Sequence, residues 1–210
     1  MRYLKFEDFC VESVSLEEND GMLFVVDVQI EFKKFIPKNF VSNLKGYCKT
    51  FNSVYQVWDS NKTDSPSYKF PNQILDIEKQ FGVKKYYKDL DGGIEEWFNT
   101  IFDDKVSNSI IKLLKDKNIT EGDKFKLKDK NEYLVYIDND HSWFYVNSDM
   151  YQTFKKLKGK SVVIVGGADN ECLEDVYISC KSFGLKPIYN HEYIYSAETS
   201  NKETSHKLQK

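Results

Sequence analysis

Two side chains capable of covalent chemistry stand at the ends of apolar runs far apart in the chain. Leu23-Phe-Val-Val leads into Asp27, followed by Val28, Gln29, Ile30, Glu31 and Phe32, and Val162-Val-Ile-Val leads into Gly166-Gly-Ala-Asp-Asn-Glu-Cys172. A carboxylate can accept a proton, and a thiol that has given one up can attack an electrophilic carbon. The two serve one reaction only if the fold brings both strand ends together. Open parallel α/β sheets do this at the carboxyl ends of their strands.

Each residue also has a plainer reading. Asp27 can be a cap at a strand end, and a lone cysteine in a helix is usually a small buried hydrophobe. The position of Cys172 in the first turn of a following helix favours a thiolate, because unpaired N–H groups and the helix dipole face it. Its neighbours Asp169, Glu171, Glu174 and Asp175 act the other way, since like charge raises a thiol's pKa.

The elements that would position these groups follow a β–α–β order. Residues 22–28 form a continuous β-prone run and predict a buried strand. Pro37 suits the first turn of a helix running to about residue 51, and 52–58 alternate as a second strand. Periodicity predicts amphipathic helices over 71–81, 93–102 and 107–114, then strands at 124–128 and 133–137 around an Asp-Lys-Asn turn. The pattern then returns to a helix over 148–157 with Ser148 as N-cap, a strand over 161–165, a helix over 171–183 stopped by Gly184, and a strand over 186–190. Within the Cys172 helix, Leu173, Val176, Tyr177, Cys180 and Gly184 share one face, which makes Cys180 a core residue. The expectation is one α/β domain over 1–210 with a mainly parallel sheet, elaborated by an insertion around 60–137 across the ligand-facing end.

Composition narrows the class. With 210 residues, 40% hydrophobic and 15% aromatic, the chain can bury a single core. Thirty basic and 33 acidic residues give a formal charge of −3, without the basic surplus of nucleic-acid binding. The apolar stretches are shorter than the roughly 20 residues of a membrane span, and the acids near Met1 do not suit a signal peptide. Cys10, Cys48, Cys172 and Cys180 lack the CxxC and His spacing of a zinc site, so reduced thiols, a cytoplasmic setting and no metal or other cofactor are expected.

These segments together resemble the isochorismatase-like cysteine hydrolases, the superfamily that includes nicotinamidases. Its opening motif, a strand then Asp-x-Gln-x-acid-Phe, is matched by Asp27, Gln29, Glu31 and Phe32; its closing motif, a strand then Gly-x-x-Thr-Asp-x-Cys, by Gly166, Asn170 and Cys172, with Asp169 where Thr is usual. His141-Ser-Trp143-Phe144 looks like the family's Tyr-Ser-Ala-Phe segment, and Glu203-Thr-Ser-His206 is similar to the start of its last helix. The resemblance covers most of the chain except about 60–130. It implies a three-layer α/β/α sandwich, common self-association, a small-molecule substrate and an Asp–Lys–Cys triad. In that triad Asp27 takes the thiol proton and Cys172 attacks. Ala168, Asp169 and Cys172 wall the oxyanion site, usually with a cis peptide in the turn.

The chain departs from that pattern at one slot. Where the family's lysine is expected three residues before the Tyr-Ser-Ala-Phe segment stands Asp138, a carboxylate that would repel a thiolate. Lys84, Lys85, Lys126 and Lys128 are the candidate replacements, each equally readable as a solvated lysine. His141 is either a substitute acid/base or a structural histidine, and Trp143 with Trp58 and Phe144 lines either a pocket or the core. Asp59-Ser-Asn-Lys carries no histidines, which disfavours a metal-dependent nicotinamidase. Two readings follow: a divergent cysteine hydrolase of small amide-like or other electrophilic substrates, or a catalytically silent relative that binds a ligand or protein.

Overall fold

A computed structural model of the chain describes residues 21–29, 32–59, 79–83, 85–86, 119–126, 131–137, 143–168 and 172–196, with Lys105, Asn108, Ser109 and Lys112. In chain order the elements are β1 (Met22–Val26), α1 (Phe40–Cys48), β2 (Ser53–Asp59), β3 (Lys79–Val83), β4 (Lys85–Tyr86), β5 (Lys124–Lys126), β6 (Tyr133–Tyr136), β7 (Trp143–Val146), α2 (Ser148–Leu157), β8 (Ser161–Gly167), α3 (Cys172–Ser182) and β9 (Lys186–Tyr195).

β1 is central because all of its side chains after Met22 can be buried: Leu23, Phe24, Val25 and Val26 are at most 1% exposed. A strand covered on both faces needs such an uninterrupted apolar run. It pairs in parallel with β2 on one side and β8 on the other, within a five-stranded sheet of order β3-β2-β1-β8-β9 whose ladders are all parallel. The order reverses between β1 and β8. Right-handed crossovers on either side of such a reversal put their helices on opposite faces. Leu23, Val25, Val163 and Val165 accordingly pack with Phe40 and Leu44 of α1, while Phe24, Val26, Val162 and Ile164 pack with α2 and α3. The architecture is mixed α/β around a parallel sheet.

A second, antiparallel sheet of order β4-β7-β6-β5 closes over the α3 side, with Val135, Phe144 and Val146 in the same apolar cluster as Phe24 and Leu173. Tyr133 packs on Tyr151 of α2 and Phe183 just after α3, and the Ser182 hydroxyl donates to the Gly122 carbonyl at 2.8 Å. α3 is therefore enclosed by both sheets. That explains why Ile178 and Ser179, off its predicted apolar face, are buried as well.

Several elements depart from their sequence expectations. The helix predicted over 71–81 ends in a strand, since Lys79–Val83 continue the parallel ladder beside β2. Pairing along the sheet edge outweighs the weak helical periodicity there. Residues 71–78 and the helix expected over 93–102 lie outside the described residues, whereas Asn108, Ser109 and Lys112 are helical as expected. α2 is capped by Asn147, not Ser148: the Asn147 Oδ1 accepts from the Met150 N–H at 2.9 Å from an extended backbone, and Ser148 is already helical. β9 continues five residues beyond the expected end at Asn190. It bulges between its pairings with Ile164 and Gly166 and re-enters the ladder at Ile194 and Tyr195. With Pro187, that bulge blunts what would be an open sheet edge.

Candidate active site

The strand order reverses between β1 and β8, and sheets of this topology bind their ligands at the carboxyl ends of the strands beside such a reversal. Val26 pairs with Gly166, so the residue after each faces the same end of the sheet. Asp27 is the first residue beyond β1. It is 2% exposed and has a φ of 50°, a left-handed conformation that is uncommon outside glycine. Its backbone is held on three sides. The Asp27 N–H donates to the Val57 carbonyl at 2.8 Å, and the Asp27 carbonyl accepts from the Gln29 N–H at 2.9 Å and from the Tyr195 hydroxyl at 2.7 Å. Residues kept in such sparsely populated backbone states cluster at functional sites.

Gln29 is fully buried, and so is Gln56 of β2, whose amide donates to the Val28 carbonyl at 3.3 Å. The turn after β1 is thus tied both to β2 and to β9.

On the β8 side the chain passes through Gly166, at a φ of 108°, and Gly167, then a cis Gly167–Ala168 peptide, in the turn where the family resemblance implies one. The Ala168 carbonyl accepts from the Leu173 N–H at 3.3 Å, which ties the start of α3 back to the chain leaving β8. Cys172 opens that helix, 8% exposed, in the cluster that also holds Val26 and Ile137. The helix N-terminus favours a thiolate. Glu174 and Asp175 in the same turn oppose it.

Asp27, Gln29, Ala168 and Cys172 are therefore brought to one end of the sheet from both ends of the sequence. Phe32 lies at the margin, half-buried against the α1-side cluster. Trp143 is 1% exposed at the start of β7, edge-on to Tyr136 and Phe125, so it packs within the antiparallel sheet. Lys126 of β5 is exposed. Asp138, His141, Asp169, Lys84 and Lys128 lie outside the described residues.

Among the described residues, no group of three or more His, Cys, Asp or Glu side chains is placed to hold a metal ion, and no helix is long and apolar enough to cross a membrane.

Two residues that contribute to this end of the sheet escape sequence reasoning. Gln56 was readable only as the polar interruption of Val54-Tyr-Gln-Val57. Tyr195 lies past the predicted end of its strand, where nothing local marks it. Comparison with protein-family models, with curated proteins and with solved structures gave no match to this chain.

Proposed function

We propose that this chain is a divergent cysteine hydrolase of the isochorismatase-like type, a three-layer α/β/α sandwich acting in the cytoplasm on a small amide-like or related electrophilic substrate. The observation that carries this reading is the register Val26↔Gly166, which sets the buried Asp27 and the turn leading to Cys172 on neighbouring strands at the switch point of the sheet. In the reaction the Cys172 thiol passes its proton to Asp27, and the thiolate attacks the substrate carbonyl carbon to form a C–S bond. Collapse of that adduct expels the amine, which takes the proton from Asp27 and leaves a thioester. Water then attacks the thioester, giving its proton to Asp27, and the carboxylic acid departs as the proton returns to Cys172. The N–H groups around Ala168 and Cys172 receive the oxyanion.

The topology also supports a source for the missing cation. The strand preceding Asp138 is β6, a member of the antiparallel sheet, whereas β3 lies in the parallel sheet, with Gly82 paired to Trp58 and Val83 to Asp59. The chain leaves β3 at the same end as Asp27, two strand spacings away, or about 10 Å. Lys84 and Lys85 follow immediately. This pair is proposed to supply the cation in place of the family's lysine; Lys85 opens β4, where it pairs with Phe144 of β7.

Alkylation of the individual thiols, followed by mass spectrometry across pH, tests the reading. Cys172 should react near neutral pH in the native chain and lose that reactivity in Asp27→Asn, and a small-amide screen should show turnover that Cys172→Ala abolishes. Labelling of Cys172 only above about pH 8.5, the free-thiol value, with or without Asp27, sinks the hydrolase reading in favour of a silent binding protein.

A further inference from the structure

We infer that Tyr195 is a positioning residue for this site, a buried latch that fixes the Asp27 turn and the Cys172 turn relative to each other. The inference rests on the hydrolase reading above. Its hydroxyl donates to the Asp27 carbonyl at 2.7 Å. Its ring lies so close over Gly167 that a Cβ at that position would overlap the Tyr195 ring carbons. One side chain thus touches the backbone of both turns, from a third strand.

The latch is itself held. Tyr195 is 3% exposed and meets Phe40 of α1 edge-on, with ring centroids 5.6 Å apart at 88°. Its place opposite Gly167 depends on the bulge in β9. Ile164 pairs with Tyr189, whereas Gly167, three residues on, pairs with Tyr195, six residues on. The three extra residues carry the strand far enough to present an aromatic ring where the unbulged register would put Glu192.

The physical consequence follows from the left-handed backbone at Asp27. Such a conformation costs of order 1–3 kcal/mol in a non-glycine residue and persists only where the surroundings over-determine it. The Tyr195 hydroxyl bond is one of the three backbone bonds that hold it. Removing that bond lets the carboxylate wander by fractions of an ångström, enough to weaken a proton transfer that needs hydrogen-bond reach. Replacing the ring as well would unsupport the Gly167–Ala168 turn.

The test uses the full chain and iodoacetamide, with Cys172 labelling followed separately from the other thiols. The charged groups near Cys172 among the described residues are Asp27 beyond β1 and Glu174 and Asp175 on α3, and all are retained in Tyr195→Phe. Leu157→Ala, at the end of α2 in the cluster that also holds Cys172 but not Tyr195, serves as a control for lost stability. Tyr195→Phe should slow Cys172 labelling at pH 7 about tenfold, the same direction as Asp27→Asn, while Leu157→Ala keeps the native profile. A Tyr195→Phe profile superimposed on the native one overturns the latch, as does an equal slowing in Leu157→Ala. If the native chain and Asp27→Asn both label only at alkaline pH, the hydrolase reading itself has failed, and this inference with it.

Discussion

Gly166 lies directly against Val26. A Cβ built at 166 would fall 2.8 Å from the Val26 nitrogen and closer still to the Val26 carbonyl oxygen, and the residue has a φ of 108°. The β1 and β8 backbones approach this closely only because this position has no side chain. Gly166→Ala should therefore destabilise the fold by about 3 kcal/mol or more, combining backbone strain with forced separation of two central strands. Urea denaturation measures it, and a loss below about 1 kcal/mol would contradict the close approach.

Asn147 caps α2 through a side-chain bond from the Met150 N–H, and Met150 is itself fully buried. Asn147→Ala should cost about 1 kcal/mol, within the usual range for a lost cap. Ser148→Ala should cost less, because Ser148 sits inside the helix. The reverse ranking in thermal or chemical melts would move the cap back to Ser148.

The strand–turn–helix around Cys172 and the strand before Asp27 were legible in the sequence because both depend on local signals: buried apolar runs, a glycine-bearing turn and a helix stopped by Gly184. Their pairing was legible only through topology, since it takes a sheet order with a reversal to set residues 27 and 166 side by side. β3 was misread because an edge strand owes its conformation to the ladder beside it. β4 is two residues long, and its only reason to be extended is β7. Tyr195 stayed invisible for a similar reason: its role follows from a bulge that changes which residue faces Gly167, and a register shift leaves no mark in composition or periodicity.

The remaining described thiols give a pH signature of the core. Burial pushes the Cys48 thiol from 9.0 up to about 11, and complete burial raises Cys180 further. Between pH 9 and 11 the unfolded chain has released the Cys48 proton while the folded chain still holds it, so unfolding becomes more favourable as pH rises. Below pH 9 the contribution is fully present. Urea midpoints should fall from pH 9 to 11, and Cys48→Ala should fall less steeply. Parallel declines in the two proteins would remove Cys48 from the account. Native alkylation should spare Cys180 at neutral pH until denaturant is added.

The cation proposed for the Cys172 site sets the lysines after β3 against the carboxylate after β6. If the lysines after β3 serve the thiolate, Lys84→Ala or Lys85→Ala should shift Cys172 alkylation to higher pH and slow it at neutral pH about tenfold, because a lost positive neighbour raises a thiol's pKa. Asp138→Asn should leave the profile unchanged if the lysine pair, not position 138, fills the slot. High salt should narrow the difference between the lysine variants and the native chain only slightly if the pair is buried, and strongly if the lysine works from solvent. Unchanged profiles in both lysine variants, together with faster labelling in Asp138→Asn, would return the slot to Asp138 and favour the silent binding protein over the hydrolase.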